Sequence, residues 1–415
     1  MNLLLADPFS LSQEYPENLT HILSYGQAVC LRFNRKGDYL ASGLGDGTVV
    51  VFDFDTYGIS RVLRGHTMPI TSLSWSRDGR YLLSASRDWK CILWDLKDGS
   101  RRVSVCFESA IWGAELHPLN QNIFVVALYE DTPTLVEIGD DGIVKRQPLK
   151  NPAHDGQMAT LVVAVEKSGQ FVFTGTSKGW INIFELKTCL VVKSERVTTA
   201  NIKHITFSPS GRQFCVNASD RTIRLFNTPD LAYVDPTDWN VEVVHKFQDV
   251  VNRLQWNMVT FSANGDYVMA ATYRVQHDIY IWETTVGSLV KIIEAPREEI
   301  IDAQWHPTRT LLAAAGLDKG NIYIWATVTP QRWSALAPDF VEVDENVEYE
   351  EREDEFDIEP DELANKRRLN QEDEDDVDIV TIERVRGEFG EESFIIPIVL
   401  DEDEDEDVLE SSDSE

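Results

Sequence analysis

One pattern recurs seven times along the chain and limits the fold more than any other feature. Each copy is an apolar run, a polar turn and a second apolar run, as in LASGLGDGTVVVFDF at 40–54 and LLSASRDWKCILWDL at 82–96. The first residues of successive copies are 42, 42, 48, 42, 54 and 43 positions apart. The other copies occupy residues 124–138, 172–186, 214–228, 268–284 and 311–327. Such a period indicates one supersecondary unit that buries its apolar faces against neighbouring copies.

Each repeat supplies four predicted β-strands. A shorter apolar run and a polar turn, such as SLSWSRDGRY, precede most copies, and a fourth run follows before the next repeat. Nearly continuous apolar runs such as VVVF and CILW are typical of strands covered on both faces. Four strands per unit, with Trp94-Asp95 at the end of the second copy, resemble the WD40 repeat. The sequence therefore predicts an all-β fold, a seven-bladed WD40 β-propeller over residues 1–328.

The predicted ring needs one more strand than the last repeat provides. After Trp325 the chain continues as TVTPQRWSALAP, in which Pro330 and Pro338 disfavour a strand. We therefore expect residues near Leu19–Ser24 to supply the outer strand of the last blade, so that the N-terminus closes the ring.

The second repeat contains the fullest form of the repeat signature. His66 lies 28 residues before Trp94, with Ser84 and Asp88 between them. In WD40 proteins a buried network joins residues of these types, so the resemblance assigns a structural role to His66, Ser84, Asp88 and Trp94. A catalytic role for His66 and Asp88 is disfavoured. The third repeat, at 124–138, has lost the signature.

Sequence motifs that suggest an enzyme fall in predicted turns. Residues 175–179 match the G-x-S-x-G pattern of serine hydrolases, but that motif needs a strand-to-helix elbow and here lies between two strands. The glycine-rich residues 43–47 also form a turn, with no following helix to hold a phosphate. The eight histidines show no metal-binding spacing. We therefore expect a non-catalytic binding scaffold with no metal and no cofactor.

The cysteines and the N-terminus indicate a reducing compartment. The five cysteines have no close spacing that suggests a metal site or a disulfide framework. The first ten residues, MNLLLADPFS, lack the basic region and the long apolar run of a signal peptide. No window approaches transmembrane length, so no membrane partner is expected.

Four arginines are predicted to share one face of the ring. In a blade of four antiparallel strands, the turns between the second and third strands and the linkers between blades open on the same face. Arg221 and Arg274 fall in such turns, and Arg253 and Arg297 in such linkers, all in blades five to seven. A patch of this kind is the usual electrostatic mark of DNA contact. The alternative is that the arginines pair with adjacent carboxylates, such as Asp220, Glu298 and Glu299.

The charge of the chain is concentrated in its last part. Residues 339–415 contain 34 acidic and 6 basic residues, a balance of −28, which leaves −4 of the total −32 for residues 1–338. Like charges at this density resist compaction, so we expect most of this tail to be disordered.

Spaced apolar residues interrupt the acidic tail. In ENVEYEEREDEFDIE, at 345–359, nine residues are acidic, yet Val347, Tyr349, Phe356 and Ile358 are threaded through them. This layout is typical of a docking arm that links several weak sites in series. The alternative, a solvated charge run, explains the acid but not the apolar residues. The basic cluster at 366–368 is compatible with a nuclear-import signal.

The propeller followed by WSALAPDF, DENVEYEEREDEFDIE and VDIVTI is similar to the retinoblastoma-binding protein five family. The similarity covers about residues 1–400, and its tail motifs are more diagnostic than the repeats. Members of this family are subunits of SET1/MLL-type (COMPASS) histone H3 lysine-4 methyltransferase complexes. The resemblance therefore implies a nuclear scaffold whose partners are a SET-domain methyltransferase subunit, an Ash2-type SPRY subunit, a second WD40 subunit and the nucleosome, through its DNA and histones.

The resemblance also implies which tail residues contact each partner. The segment at 329–344 matches the part that the family lays against the SET subunit, with Trp333, Phe340 and Val341 as contacts. The acidic box at 345–362 matches the part that docks on the SPRY subunit, through Tyr349, Glu350, Glu351, Arg352, Glu353, Phe356, Asp357 and Ile358. The remaining tail, 363–415, contains the match to the peptide bound by the second WD40 subunit, Val377, Asp378 and Ile379.

The four arginines match positions that the family uses against nucleosomal DNA. The expected function is therefore a non-catalytic scaffold that organises a histone methyltransferase on the nucleosome. The alternative is a histone chaperone or general chromatin adaptor whose acidic tail binds histones directly.

Overall fold

The structure is a computed structural model that describes residues 15–129, 131–139, 143–152, 159–229, 239, 241–249, 251–273, 278–296 and 298–327. Every regular element in this part of the chain is a β-strand, and the strands form seven antiparallel sheets of four. Each sheet is one blade, numbered here by the repeat that it contains. This arrangement confirms the predicted all-β, seven-bladed propeller.

The first four blades follow the chain without interruption. Blade one contains β2 (Ala28–Phe33), β3 (Tyr39–Leu44), β4 (Thr48–Asp53) and β5 (Ile59–Arg64). Blade two contains β6 (Ile70–Trp75), β7 (Tyr81–Ser86), β8 (Lys90–Asp95) and β9 (Ser100–Cys106). Blade three contains β10 (Ile111–Leu116), β11 (Ile123–Leu128), β12 (Thr134–Ile138) and β13 (Val144–Pro148). Blade four contains β14 (Thr160–Val165), β15 (Phe171–Thr176), β16 (Trp180–Glu185) and β17 (Leu190–Arg196).

The last three blades complete the ring. Blade five contains β18 (Ile202–Phe207), β19 (Gln213–Ala218), β20 (Ile223–Asn227) and β21 (Val243–Phe247). Blade six contains β22 (Trp256–Phe261), β23 (Tyr267–Thr272), β24 (Asp278–Glu283) and β25 (Leu289–Glu294). Blade seven contains β26 (Ile300–Trp305), β27 (Leu311–Gly316), β28 (Ile322–Ala326) and, as its outer strand, β1 (Asn18–Leu23).

The outer strand of blade seven joins the two ends of the repeat array. β1 pairs antiparallel with β28, from Asn18 opposite Ala326 to Leu23 opposite Ile322. The Thr20 hydroxyl also donates to the Ile324 carbonyl at 3.1 Å, although 304 positions separate the two residues in the chain. The ring is therefore closed by a strand from the N-terminus, as the sequence led us to expect.

Burial within each blade follows strand position. All six residues of β3, β7 and β15, which are second strands, are buried. Outer strands such as β9 and β25 expose most of their side chains. The second and third strands are apolar on both faces because each blade packs between two others, and the apolar clusters of the core lie between adjacent blades.

The innermost strands hold the ring together with side-chain to backbone hydrogen bonds. Each innermost strand contacts the next around the whole ring. Among the described residues, such bonds cross six of the seven junctions. At the junction of blades seven and one, the Leu31 amide donates to the Asp302 carboxylate at 2.8 Å. At the junction of blades two and three, the amides of Ala114 and Leu116 donate to the hydroxyls of Ser72 and Ser74. The bonds at the other four junctions involve Trp75, Glu115, Thr206 and Asn257.

Each innermost strand also contains a β-bulge near its start. In β10, for example, Ile111 pairs with Leu128 and Gly113 with Ala127, so Trp112 has no partner in the ladder. The skipped residues in the other strands are Val29, Thr71, Leu161, Lys203 and Ile301, and β22 shifts between Trp256 and Val259. A bulge re-aims its side chain out of the regular pleat, and none of these six single-residue bulges is fully buried. Because all six lie at the same end of the innermost strands, which surround the centre of the ring, they share one mouth of its central channel.

Glu115 at the junction of blades three and four is a carboxyl in an unusual environment. Its Oε2 accepts a hydrogen bond from the Val165 amide at 2.8 Å. Burial raises the pKa of Glu115 to about 7, against the opposing effects of that bond and of the Arg32 guanidinium. Ionisation therefore opposes the folded state at neutral pH.

We predict that Glu115→Gln removes a pH-dependent loss of stability. The unfolded carboxyl loses its proton near its ordinary pKa of 4.5, whereas the folded one keeps it to about pH 7. The wild-type chain should therefore lose stability relative to the variant as pH rises through this window, by up to about 1.4 kcal/mol per pH unit. Urea unfolding of both proteins between pH 4.5 and 8 measures the difference, with the exposed Glu137→Gln as the matched control. Parallel profiles would contradict the prediction.

Candidate nucleic-acid interface

The turns and linkers divide into two faces of the propeller. The turns between second and third strands and the linkers between blades open on one face, which we call the upper face. It carries the bulged residues, because these follow directly after the linkers. Arg221 lies between β19 and β20, and Arg253 between β21 and β22, so both belong to the upper face.

Both described arginines are exposed, and their neighbouring carboxylates have other partners. The Asp220 carboxylate binds the Arg224 guanidinium and accepts a hydrogen bond from the Thr198 hydroxyl. Asp220 is thus engaged by Arg224 and Thr198, so the alternative in which Arg221 is neutralised by pairing with Asp220 is not favoured. Glu298, which follows the predicted contact residue Arg297 in the sequence, is buried. It accepts hydrogen bonds from the Tyr323 hydroxyl and the Lys319 amide.

Arg221 occupies a backbone position that other blades give to glycine. Its φ is 70°, in the left-handed region, and the equivalent residues of blades one and four are Gly47 and Gly179. Trp89 of blade two holds the same position with φ 67°, and Arg253 in its linker has φ 51°. A side chain in this conformation costs about 1 kcal/mol or more relative to glycine. Exposed side chains that stand at such positions despite this cost, as Arg221 and Arg253 do, are candidates for binding another molecule.

The other predicted contact residues lie outside the described part of the chain. These are Arg274 and Arg297 of the arginine set and all of the tail residues assigned to the SET, SPRY and second WD40 subunits, from Trp333 to Ile379. The structure does add one cation that the sequence argument passed over. Lys178, exposed in the corresponding turn of blade four, lies on the upper face. Alignment of the turns alone would have found it, since it lies one position before Gly179.

The His66, Ser84, Asp88 and Trp94 side chains form one buried hydrogen-bonded chain. His66 Nδ1 lies 3.1 Å from both Asp88 carboxylate oxygens, and His66 Nε2 lies 2.8 Å from the Ser84 hydroxyl. Trp94 Nε1 donates to the same hydroxyl at 2.8 Å. Burial lowers the pKa of His66, so the ring is neutral, with Nδ1–H donating to Asp88 and Nε2 accepting from Ser84. This geometry ties the linker before blade two to its second and third strands.

Other blades make the same connection with different residues. In blade five the Thr198 hydroxyl donates to Asp220, which also binds Arg224. In blade six the Tyr280 hydroxyl donates to Asp249 at 3.2 Å. In blade seven Tyr323 donates to Glu298. The connection in blade five could have been predicted, because Asp220 occupies the repeat position of Asp88. The two carboxylate–tyrosine pairs match no motif of the repeat.

The described residues provide no metal-binding cluster, and the hydrolase-like motif lies in a turn between strands. No group of three or more His, Cys, Asp or Glu side chains in the described ranges could hold a metal ion. Residues 175–179 lie at the turn between β15 and β16, and the Ser177 amide donates to the Ala159 carbonyl. No helix in the described part of the chain is long and apolar enough to cross a membrane.

We predict that Ser84→Ala strongly destabilises the propeller. The substitution leaves the buried Trp94 N–H and His66 Nε2 without their shared partner, and each unsatisfied group costs about 1–3 kcal/mol. The free energy of unfolding, measured in urea, should fall by about 2–4 kcal/mol. Ser104→Ala, at an exposed serine of the same blade, should change it by less than about 0.5 kcal/mol. Equal effects of the two variants would show that the network does not stabilise the fold.

Comparison with known proteins gives consistent matches across the chain. The family described as "WD domain, G-beta repeat" matches residues 18–53, 58–95 and 189–227. The chain is 49% identical over 368 residues to the Set1 complex component swd1 of Schizosaccharomyces pombe, across 86% of this chain and 90% of that protein. It is 39% identical over 421 residues to the COMPASS component SWD1 of Saccharomyces cerevisiae, across 96% of this chain and 97% of that protein.

More distant and structural relatives agree with these. The chain is 37% identical over 394 residues to a retinoblastoma-binding protein 5 homolog of Drosophila melanogaster, across 93% of this chain and 78% of that protein. The crystal structure of the Myceliophteria thermophila Cps50 (Swd1) β-propeller domain matches with a TM-score of 0.72 and 47% identity. That match covers 75% of this chain and all of the solved domain.

Proposed function

The chain belongs to the family of the Set1 complex component swd1 and the retinoblastoma-binding protein 5 homologues, and we propose that it is a non-catalytic scaffold of a histone H3 lysine-4 methyltransferase complex. In this proposal the propeller contacts the nucleosome and the acidic tail docks the SET, SPRY and second WD40 subunits. The methyl donor and the active site belong to another chain. The site of action is the nucleus, where the nucleosomes are.

One observation carries the proposal. The similarity to the COMPASS component SWD1 of Saccharomyces cerevisiae extends over 96% of this chain, whereas the match to the solved propeller domain covers 75%. The shared sequence therefore includes most of the tail as well as the repeats. Propellers occur in proteins of many functions, so similarity over the tail is what favours a common set of partners.

The charge distribution on the upper face supports contact between the propeller and DNA. Lys178, Arg221 and Arg253 come from three consecutive blades and are all exposed. Exposed cations that neutralise phosphates release counterions, which makes the binding salt-dependent and independent of base sequence. Arg274 and Arg297 complete the patch in the proposal. The exposed position of these cations, and not the net charge of blades four to six, is what supports contact with phosphates.

The composition of the tail supports docking rather than simple solvation. Carboxylates in 345–359 give steering and charge-assisted hydrogen bonds to a basic groove. Tyr349, Phe356 and Ile358 supply the side chains that such a groove can bury, and a few buried apolar residues usually dominate binding energy. The histone chaperone remains the second candidate because the −28 charge of the tail is itself a property of histone-binding segments.

We predict that replacing Arg221 and Arg253 by glycine weakens nucleosome binding without harming the fold. Glycine keeps the left-handed turn, since Gly47 and Gly179 hold the equivalent of the Arg221 position. If each arginine contacts one phosphate, the slope of log K against log salt should fall by about 0.9 per arginine. Electrophoretic mobility or fluorescence titration at several salt concentrations measures this. Adding Arg274→Ala and Arg297→Ala should lower the slope further.

The control for this experiment lies on the other face. Arg212, between β18 and β19, and Lys187, between β16 and β17, are exposed on the face opposite to the upper one. Changing both to alanine should leave the salt slope unchanged. The complex that contains the glycine variants should methylate a free histone peptide as well as the wild type does. Equal loss on peptide and nucleosome would count against the patch.

We predict that the order of residues in 345–359, and not only their charge, sets binding to the SPRY-type subunit. In the full chain, Phe356→Ala should weaken this binding by at least about 1 kcal/mol because it removes a buried anchor. Glu351→Gln should cost less and mainly slow association. A chain whose 345–359 segment is scrambled with every charge retained should bind poorly in calorimetry. If it binds as well as the natural order, the docking role is wrong and the chaperone alternative is favoured.

A further inference from the structure

Blade three presents a pair of exposed aromatic rings at the mouth of the channel on the upper face. Trp112 is the bulged residue of β10, and Tyr129 follows β11 directly. Their ring centroids are 5.9 Å apart with an interplanar angle of 46°. The two side chains keep 42% and 47% of their surface exposed. The backbone beneath them is fixed, because the Tyr129 amide donates to the Ala110 carbonyl at 2.8 Å.

Two exposed carboxylates lie close to the two rings in sequence, on the same loops. Glu108 lies in the linker that leads to Ala110 and is exposed, and Asp131 lies two positions after Tyr129 and is also exposed. Asp131 Oδ1 accepts a hydrogen bond from the Thr132 amide, which holds the carboxylate at the start of this loop. The two loops of blade three on this face, 107–110 and 129–133, contain no Lys or Arg. The charged residues of these two loops are therefore all acidic, in contrast to Lys178, Arg221 and Arg253 of blades four to six. The nearby Arg146 guanidinium of β13 packs over the Phe107 ring.

The same mouth shows an aromatic ring that already has its cation. Two blades further round the ring Lys203, the bulged residue of β18, places its Nζ 5.1 Å from the centre of the Tyr273 ring. The bulge position can thus bring a cation and an aromatic face together. On blade three the bulge supplies the aromatic side chain instead, and among the described residues no cation covers Trp112 or Tyr129.

We propose that Trp112 and Tyr129 bind a cationic side chain, a guanidinium or a quaternary ammonium, from a basic peptide segment. The negative faces of the rings attract the cation, and Glu108 and Asp131 complement its charge. The ligand is a protein segment, since a phosphate backbone would be repelled by these carboxylates. The site is separate from the arginines proposed to contact DNA and does not depend on them.

The test uses the full chain labelled with 5-fluorotryptophan and three peptides. The peptides are identical runs of glycine and serine with one central arginine, trimethyllysine or citrulline. Among the eleven tryptophans, the Trp112 fluorine resonance is assigned by its absence in Trp112→Phe. We expect this resonance to shift saturably with the arginine or the trimethyllysine peptide and not with the neutral citrulline peptide. The relative affinities of the two cationic peptides identify the preferred cation.

Variants separate the aromatic contact from general attraction to acid. Tyr129→Phe keeps the ring and should keep the affinity, whereas Tyr129→Leu should weaken binding about threefold or more. The resonance of Trp89, which is 50% exposed on the same face, is the internal reference and should not move. Arg221→Gly with Arg253→Gly should leave the titration unchanged. The proposal is overturned if citrulline acts like arginine, if Tyr129→Leu has no effect, or if Trp112 does not respond up to the solubility limit of the cationic peptides.

Discussion

The whole propeller depends on the pairing of β1 with β28. No blade can cover its own apolar second and third strands, so each requires a neighbour on both sides. In a closed ring every blade has two neighbours. If the ring opens at one junction, the two blades at that junction each lose one neighbour and expose an apolar face. The β1–β28 pairing also gives β28 a partner on its otherwise open edge, which removes a template for pairing with another chain. Pairing between strands about 300 positions apart in sequence thus stabilises the packing between blades that follow one another in the chain.

Most of the architecture could be predicted because the same pattern of apolar runs and polar turns repeats at a nearly regular interval along the chain. Repeat length, apolar runs and turn residues are local properties, and they identified all seven blades, including blade three without its signature. The blade-two side chains could be placed because their residue types recur at fixed spacing. The carboxylate–tyrosine pairs of blades six and seven could not, because Asp249 with Tyr280 and Glu298 with Tyr323 solve the same bonding problem with residues that follow no repeat pattern.

For the candidate sites, the sequence predicts which face of the propeller a residue lies on, but not its conformation or its bonding partners. Sequence alignment of turns places Arg221 and Lys178 on the upper face, since strand alternation fixes which loops share it. It does not reveal that Arg221 stands in a left-handed conformation or that Asp220 is already engaged by Arg224, because both depend on the local path of the backbone. The aromatic pair of blade three was missed for a similar reason. Trp112 reads as an ordinary strand residue, and only the bulge turns it toward the channel mouth.

The bulges also bear on how a protein of this kind can change its ligands over evolutionary time. A residue skipped by the ladder, such as Trp112 or Lys203, forms no cross-strand pair, and its side chain is not enclosed by the core. Substitution there leaves the cross-strand pairs of the ladder intact, although Lys203 also contacts Trp256 and Tyr273 of the next blade. The mouth of the channel therefore offers six such positions, one in each blade except blade six, at which a substitution changes the binding surface more than the strand ladder. Diversification of binding can proceed at these positions while the closed ring is conserved.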